Sequence, residues 1–299
     1  MTLFTFEPFK AVAAMIEMAT GCTPARFEAA RFENGELHIA IHTPVRNQNC
    51  VILGSISPPD ENLLSLLLLA HTLKKEGARK ASAILPYVAY ARHDKDKTGE
   101  SLGTAWLGVM AEAAGIDELI GVDVHSDRAK KLFPFRVISL SPAEVFAEAL
   151  KRFGLEKAAI VAPDEGAIPR CDAVKKAAGM APGKTLYFEK HRTAEGITHT
   201  GCIGEVGRQV VLVDDILDTG GTLVSACQRL RQAGAEEIHV MVTHGLFTGN
   251  RWKELWSLGV KRIFCTDSVP FARGTEDSRI TRLSIIPLLE KRLCPLVTT

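Results

Sequence analysis

Val210-Val-Leu-Val-Asp214-Asp215-Ile-Leu-Asp218-Thr219-Gly220-Gly221-Thr222 is the stretch from which the rest of the chain is read. The apolar run from Val210 to Val213 shows no alternation, as expected of a strand buried on both faces of a parallel sheet. Asp214 and Asp215 follow at its carboxyl end, where open parallel sheets bind their ligands. The turn from Asp218 to Thr222 carries two glycines that admit positive φ and close backbone approach, so several N–H groups can converge on one anion. Leu223, Cys227 and Leu230 recur at helical spacing and predict a helix whose N-terminal dipole adds to that anion site. Paired carboxylates beside an anion-binding turn describe a site for a phosphorylated sugar. An ordinary acidic turn between strand and helix accounts for Asp214 and Asp215 alone, but poorly for the whole stretch.

Working outward, Gly and Pro punctuation divides the chain into alternating strands and helices. Strands are expected at 51–53, 81–85, 119–122, 158–161, 186–188, 210–213 and 238–242, with helices at 61–76, 102–114, 142–152, 169–178 and 223–233. Leu73-Lys-Lys-Glu-Gly77-Ala78 and Leu230-Arg-Gln-Ala-Gly234-Ala235 echo one another, each just before a strand. With the matching rhythm, the echo favours a duplicated α/β domain. The expected division is 1–140 and 141–276, with 277–299 returning to cover the first domain.

The 299 residues suit two domains with ample core. A formal charge of +1 gives no polybasic surface for nucleic acid or an anionic membrane, so phosphate binding must be local. Cys22, Cys50, Cys171, Cys202, Cys227, Cys265 and Cys294 form no C-x-x-C pair, the pattern of reduced thiols. The longest apolar stretch, Leu63 to Ala70, is too short for a membrane span, and Met1 to Lys10 lacks the features of a signal peptide. A cytoplasmic location is expected. Gly179-Met-Ala-Pro-Gly183-Lys184-Thr185 ends like a phosphate-binding kinase loop, but Ala178 stands where the first glycine is required and a strand follows, so it is read as a helix cap and turn.

The segment 210–222 resembles the 5-phosphoribosyl 1-diphosphate (PRPP) motif shared by type I phosphoribosyltransferases and PRPP synthetases. Ala30-Arg-Phe32-Glu-Asn34-Gly35-Glu36, Ser57-Pro-Pro-Asp-Glu-Asn62, Pro86-Tyr-Val-Ala-Tyr-Ala-Arg92-His93-Asp94, Asp123-Val-His125-Ser126, Ala162-Pro-Asp164-Glu-Gly166, Glu189-Lys190-His191-Arg192 and Thr266-Asp-Ser-Val-Pro270 resemble, in order, the blocks of ribose-phosphate diphosphokinase. The resemblance runs from about residue 31 to 289. It implies two tandem phosphoribosyltransferase-like α/β domains, each a mainly parallel sheet flanked by helices, ATP bound by the first and ribose 5-phosphate by the second. The implied reaction moves the diphosphoryl group of ATP to the C1 hydroxyl of ribose 5-phosphate, giving PRPP and AMP.

By the same resemblance Asp214 and Asp215 hold the ribose ring, and Asp218, Thr219, Gly220, Gly221 and Thr222 hold the 5-phosphate. Phe32, Asn34, Gly35 and Glu36 grip adenine across a subunit boundary, and Arg92, His93 and Asp94 meet the ATP phosphates, for which a forked guanidinium is suited. Asp123 and His125 are expected to alternate at a strand end and face one crevice edge. His125 and Asp164, with Asp123, are the implied ligands of Mg²⁺, which needs few protein ligands when substrate oxygens and water fill the rest. Helix capping is the plainer reading of Asp164. Lys190 and Arg192 are the implied catalytic pair, two cations for charge that accumulates on the transferred group. They border a polar stretch, Thr193 to Gly201, read as an aperiodic candidate lid.

The family pattern departs at Asn34 (usually Asp), His93 (usually Gln) and His191 (usually Arg), and the first thirty residues match poorly. Those departures motivate an alternative, a catalytically silent subunit that binds and regulates an active synthetase. A phosphoribosyltransferase acting on a base is a third reading. The family also implies a homo-oligomer of dimers, up to a hexamer, with ATP and ribose 5-phosphate as its small-molecule partners.

Overall fold

The structure is a computed structural model that describes residues 1–193, 196–203, 206–270 and 276–297, without the side chains of 190–203 and 295–297. The chain divides into two compact units, one comprising 1–141 with 286–299 and the other 142–285.

The first unit opens with β1 (Thr2–Thr5), α1 (Lys10–Thr20) and the short β2 (Thr23–Pro24), followed by a hairpin of β3 (Phe27–Arg31) and β4 (Leu37–Ile41). The α/β alternation continues with β5 (Asn49–Leu53), α2 (Glu61–Lys75), β6 (Lys80–Leu85), α3 (Gly103–Ala113), β7 (Glu118–Val122), α4 (Asp127–Lys131) and β8 (Arg136–Leu140). Its sheet runs β2-β1-β5-β6-β7-β8 with every neighbour parallel, while β3 and β4 pair only with each other. Cys50 to Leu53 and Ala81 to Leu85 are buried throughout, which is why they read as apolar runs without alternation, broken only by Ser82.

The second unit comprises α5 (Ala143–Arg152), β9 (Ala159–Ala162), α6 (Ile168–Ala177), the antiparallel pair β10 (Leu186–Thr193) and β11 (Gly196–Ile203), then β12 (Gln209–Leu217), α7 (Gly221–Gln232), β13 (Glu237–Gly245), α8 (Glu254–Ser257), β14 (Val260–Thr266) and β15 (Ile280–Leu283). The sheet order is β11-β10-β9-β12-β13-β14-β15, parallel except between β10 and β11. Strands β1, β5, β6, β7 and β8 of the first sheet therefore match β9, β12, β13, β14 and β15 of the second in order and direction.

The sequence echo falls on matching junctions, α2 to β6 and α7 to β13. In both, a left-handed glycine (Gly77, φ 86°; Gly234, φ 94°) closes the helix, and the next residue's N–H returns to the leucine five residues back, Ala78 to Leu73 at 2.9 Å and Ala235 to Leu230 at 3.0 Å. Met180 makes the same return to Lys175 at 3.0 Å past Gly179, so the kinase-like run is indeed a helix cap and turn.

Two expectations differ from the structure. Residues 280–283 do not return to the first unit but form the edge strand of the second sheet, paired with 263–266; the return begins with α9 (Ile286–Val297). The polar stretch after Thr193 is not aperiodic either, since 196–203 form β11, paired with β10. Its Thr and Ile residues are β-branched and suit a strand, while their mixed polarity hides the period-two pattern.

Candidate functional site

In the second unit, β12 carries Asp214 and Asp215 inside the strand, past its last pairing with β9 at Leu212–Val161 but still paired with β13 as far as Gly245. Asp215 is buried, and its N–H donates to Asp214 Oδ1 at 2.9 Å. Burial, above all, then the charge of Asp215, hold the Asp214 carboxyl well above the usual carboxylate range. Arg170 Nη1, 3.9 Å from Asp214 Oδ1, opposes this shift, whereas the charge of Asp164 adds to it. Asp164, Arg170, Asp214 and Asp215 thus form one electrostatic group. Arg170 is a member that sequence reading missed. It lies six residues past Asp164 in the first turn of α6, with no motif of its own to mark it.

Asp164 stands in extended backbone before the 3-10 turn Glu165–Ala167, and its side chain does not cap that turn. The capping explanation of this residue is therefore lost.

The loop from Asp218 to Thr222 is braced from one side. The N–H groups of Leu246 and Phe247 donate to Leu217 O at 2.9 and 3.1 Å, and Thr248 N–H donates to Asp218 O at 3.1 Å. Gly220 has φ 91°, and a Cβ on it would lie 2.7 Å from Trp252 Cα. Only glycine lets the two backbones approach so closely with that φ. α7 begins at Gly221 without a side-chain cap, and its first backbone bond runs from Val224 N–H to Gly220 O at 2.8 Å. The amides of Gly221, Thr222 and Leu223 therefore head the helix with no acceptor inside it. A largely buried carboxylate pair and a helix start without a side-chain cap, separated by five residues, can hold a polyhydroxylated ring and its phosphate.

Lys190 and Arg192 lie in β10, opposite His199 and Ile197 of β11. Their side chains lie outside the described residues.

In the first unit, the turn from Phe32 to Glu36 joins β3 to β4. Phe32 N–H donates to Glu36 O at 2.9 Å, and Asn34 Oδ1 accepts from Glu36 N–H at 3.1 Å. Asn34 thus uses its carbonyl to shape its own turn, as an Asp would. Arg31 ties the turn to α2 through Gly35 O and Glu61. Phe32 is 54% exposed, and its ring packs against that of His38 at 4.9 Å.

Arg92 and His93 are exposed on the loop after β6, but Asp94 departs from expectation. Its buried carboxylate accepts from Ser126 Oγ at 2.5 Å, and its carbonyl accepts from Arg128 Nε at 2.7 Å. Ser126 also caps α4, accepting from Ala129 N–H at 2.9 Å. Asp94 braces its loop against the segment that presents His125. Strand β7 ends at Val122, and Asp123 adopts φ 48°, so the expected alternation of Asp123 and His125 along one strand does not occur. Asp123 N–H instead donates to Leu140 O at 2.8 Å, and His125 is exposed. Among the described residues, no three His, Cys, Asp or Glu side chains converge as a preassembled metal cage.

The comparisons fall on both units. Residues 1–115 match the N-terminal domain of ribose phosphate pyrophosphokinase, and 142–277 match the phosphoribosyl transferase domain. A ribose-phosphate pyrophosphokinase of Corynebacterium glutamicum is 31% identical, with 96% of this chain and 89% of that protein covered. One of Bacillus caldolyticus is 27% identical over 98% and 93%. The crystal structure of phosphoribosylpyrophosphate synthetase from Mycobacterium smegmatis superposes with a TM-score of 0.88 at 24% identity, covering 99% of this chain and 98% of that one, and carries the same fold.

Proposed function

The chain belongs to the ribose phosphate pyrophosphokinase family, and from that membership we propose that it transfers the diphosphoryl group of ATP to the C1 hydroxyl of ribose 5-phosphate, giving PRPP and AMP. The observation that carries this reading is the Asp218–Thr222 loop, which begins three positions past the Asp214–Asp215 pair and leads into α7, whose first amides have no acceptor within the helix.

In this reaction the loop anchors the 5-phosphate through backbone N–H groups, and Asp214 and Asp215 accept hydrogen bonds from the ribose hydroxyls. That orientation holds C1–OH in line with the β-phosphorus of ATP, which removes most of the entropic cost of the encounter. Phe32 stacks on adenine, with Asn34, Gly35 and Glu36 at the base edge, and Arg92 and His93 meet the phosphates. Lys190 and Arg192 stabilise charge on the moving diphosphoryl group more in the transition state than in the ground state.

Mg²⁺ is the proposed cofactor, with His125, Asp123 and Asp164 as its ligands. Carboxylate oxygens and one imidazole leave the remaining positions to phosphate oxygens and water, as Mg²⁺ prefers. Asp164, whose charge adds to the upward shift of Asp214, brings a carboxylate donor to this end of the sheet, the ligand type that Mg²⁺ takes. When bound, the ion supplies neutralisation of phosphate charge. The six described cysteines are free thiols, which fits the proposed cytoplasmic location; a homo-oligomer is proposed from the family membership alone. No helix among the described residues is long and apolar enough to cross a membrane.

The test is ³¹P NMR of the protein with ribose 5-phosphate, ATP and Mg²⁺. AMP with a new sugar-linked diphosphate is the expected outcome. ADP would reduce the reaction to simple phosphorylation, and an unchanged spectrum would favour a silent partner subunit.

A further inference from the structure

We propose that Arg251 is a further binding residue of the 5-phosphate site, adding a guanidinium to the phosphate held by the Asp218–Thr222 loop; this rests on the ribose 5-phosphate reading above. Arg251 opens the 3-10 turn Arg251–Lys253, in the segment between β13 and α8. A Cβ on Gly221, the first residue of α7, would lie 3.4 Å from Arg251 Nη1, so the guanidinium sits beside the first residue of the helix.

The position is fixed by its neighbour. Trp252 is buried, its Nε1–H donates to Gly249 O at 3.1 Å, and its ring packs edge-on against Phe247 at 4.9 Å. Its backbone rests on Gly220, the glycine whose missing side chain admits it. Lys253 is turned elsewhere, its Nζ donating to Asn250 Oδ1 at 2.9 Å.

A cation at the positive end of a helix is unfavourable in isolation. Arg251 is exposed, so water solvates it, and among the described residues its guanidinium has neither an ion pair nor a hydrogen bond and is available to a ligand. An anion held between the helix amides and the guanidinium turns both terms favourable, and phosphate matches the fork bidentately. Sequence reading passed over Arg251 because it lies some thirty residues beyond the motif it serves.

Calorimetric titration of the full chain with ribose 5-phosphate, and separately with inorganic phosphate, tests this alongside steady-state kinetics. Arg251→Ala should weaken ribose 5-phosphate binding roughly tenfold or more and raise its KM in step, leaving kcat and the KM for ATP within about twofold. Inorganic phosphate should weaken in parallel, and Arg251→Lys should recover part of the loss by restoring charge without the fork. Unchanged sugar-phosphate affinity in Arg251→Ala, or equal loss of ATP affinity and kcat, overturns the assignment. If the wild-type chain itself fails to bind ribose 5-phosphate, the reading of the loop falls, and the role of Arg251 with it; wild-type binding with an indifferent variant removes Arg251 alone.

Discussion

At single residues, the second unit concentrates its strain and charge where the substrate phosphate is expected. Gly220 combines φ 91° with a Trp252 Cα only 2.7 Å from where a Cβ would stand. Gly220→Ala therefore meets both a backbone penalty and a clash that a flexible tip cannot relieve, and should cost on the order of 2–4 kcal/mol in urea denaturation. An unchanged midpoint would mean that the two loops separate freely. Lys190 is argued from chemistry. If it stabilises only the transferring group, Lys190→Ala lowers kcat on the order of 10²–10³-fold while ribose 5-phosphate affinity stays close to wild type. Comparable loss of both would make it a ground-state binding residue. The motif residues from Asp214 to Thr222 were legible because their chemistry lies in one short run. Arg170 and Arg251 were not, because each becomes a neighbour of that run only through packing of separate elements.

At the level of elements, most of the buried parallel strands and the helices between them were readable from apolar runs and Gly stops, but β14, where Lys261 and Arg262 interrupt the apolar run, was not expected. The elements that escaped sequence reading have weaker signals. The strand 136–140 is only half-buried, and β11 alternates threonine with histidine, glycine and apolar residues. Thr2 to Thr5 and α1 fall in the first thirty residues, where sequence reading found little resemblance although the family match extends to residue 1. The burial of Asp94 was hidden for a different reason, since a charged run looks solvated whichever of its members turns inward. The structure makes Asp94 and Ser126 one device that ties the loop after β6 to the start of α4. Ser126→Ala removes an N-cap and leaves a buried carboxylate short of a donor, for a loss of roughly 2 kcal/mol. Asp94→Ala and the double variant complete a cycle whose coupling should be on the order of 1 kcal/mol. Additive losses would free Asp94 from the brace and return it to the list of phosphate contacts.

For the molecule as a whole, the chain's division into two units is not a division into two consecutive segments. The first unit is finished by the last helix, which packs with Leu289 and Leu293 fully buried, and α9 lies against α1. It also brings Arg292 to 3.6 Å from Glu118, a buried carboxylate at the start of β7 that Lys80 approaches to 3.2 Å and Arg136 to 3.8 Å. One carboxylate inside the fold is thus balanced by cations from three elements, one of them some 170 residues away in sequence. Sequence reading expected the tail to return but started it too early, at 277, because the apolar Leu283 to Leu289 runs without a break from the end of β15 into the helix that follows. The consequence is an asymmetry between the units. Leu293→Ala should destabilise the first unit by roughly 2–5 kcal/mol through the cavity it leaves. Hydrogen exchange resolved by segment would show the loss in β1, β5 and β7, with β12 and β13 retaining wild-type protection. Removing residues 286–299 should extend the same pattern, since it takes away Arg292 and the whole apolar face together. Equal loss of protection in both units would mean that they unfold as one, and that the helix stabilises the chain as a single cooperative body.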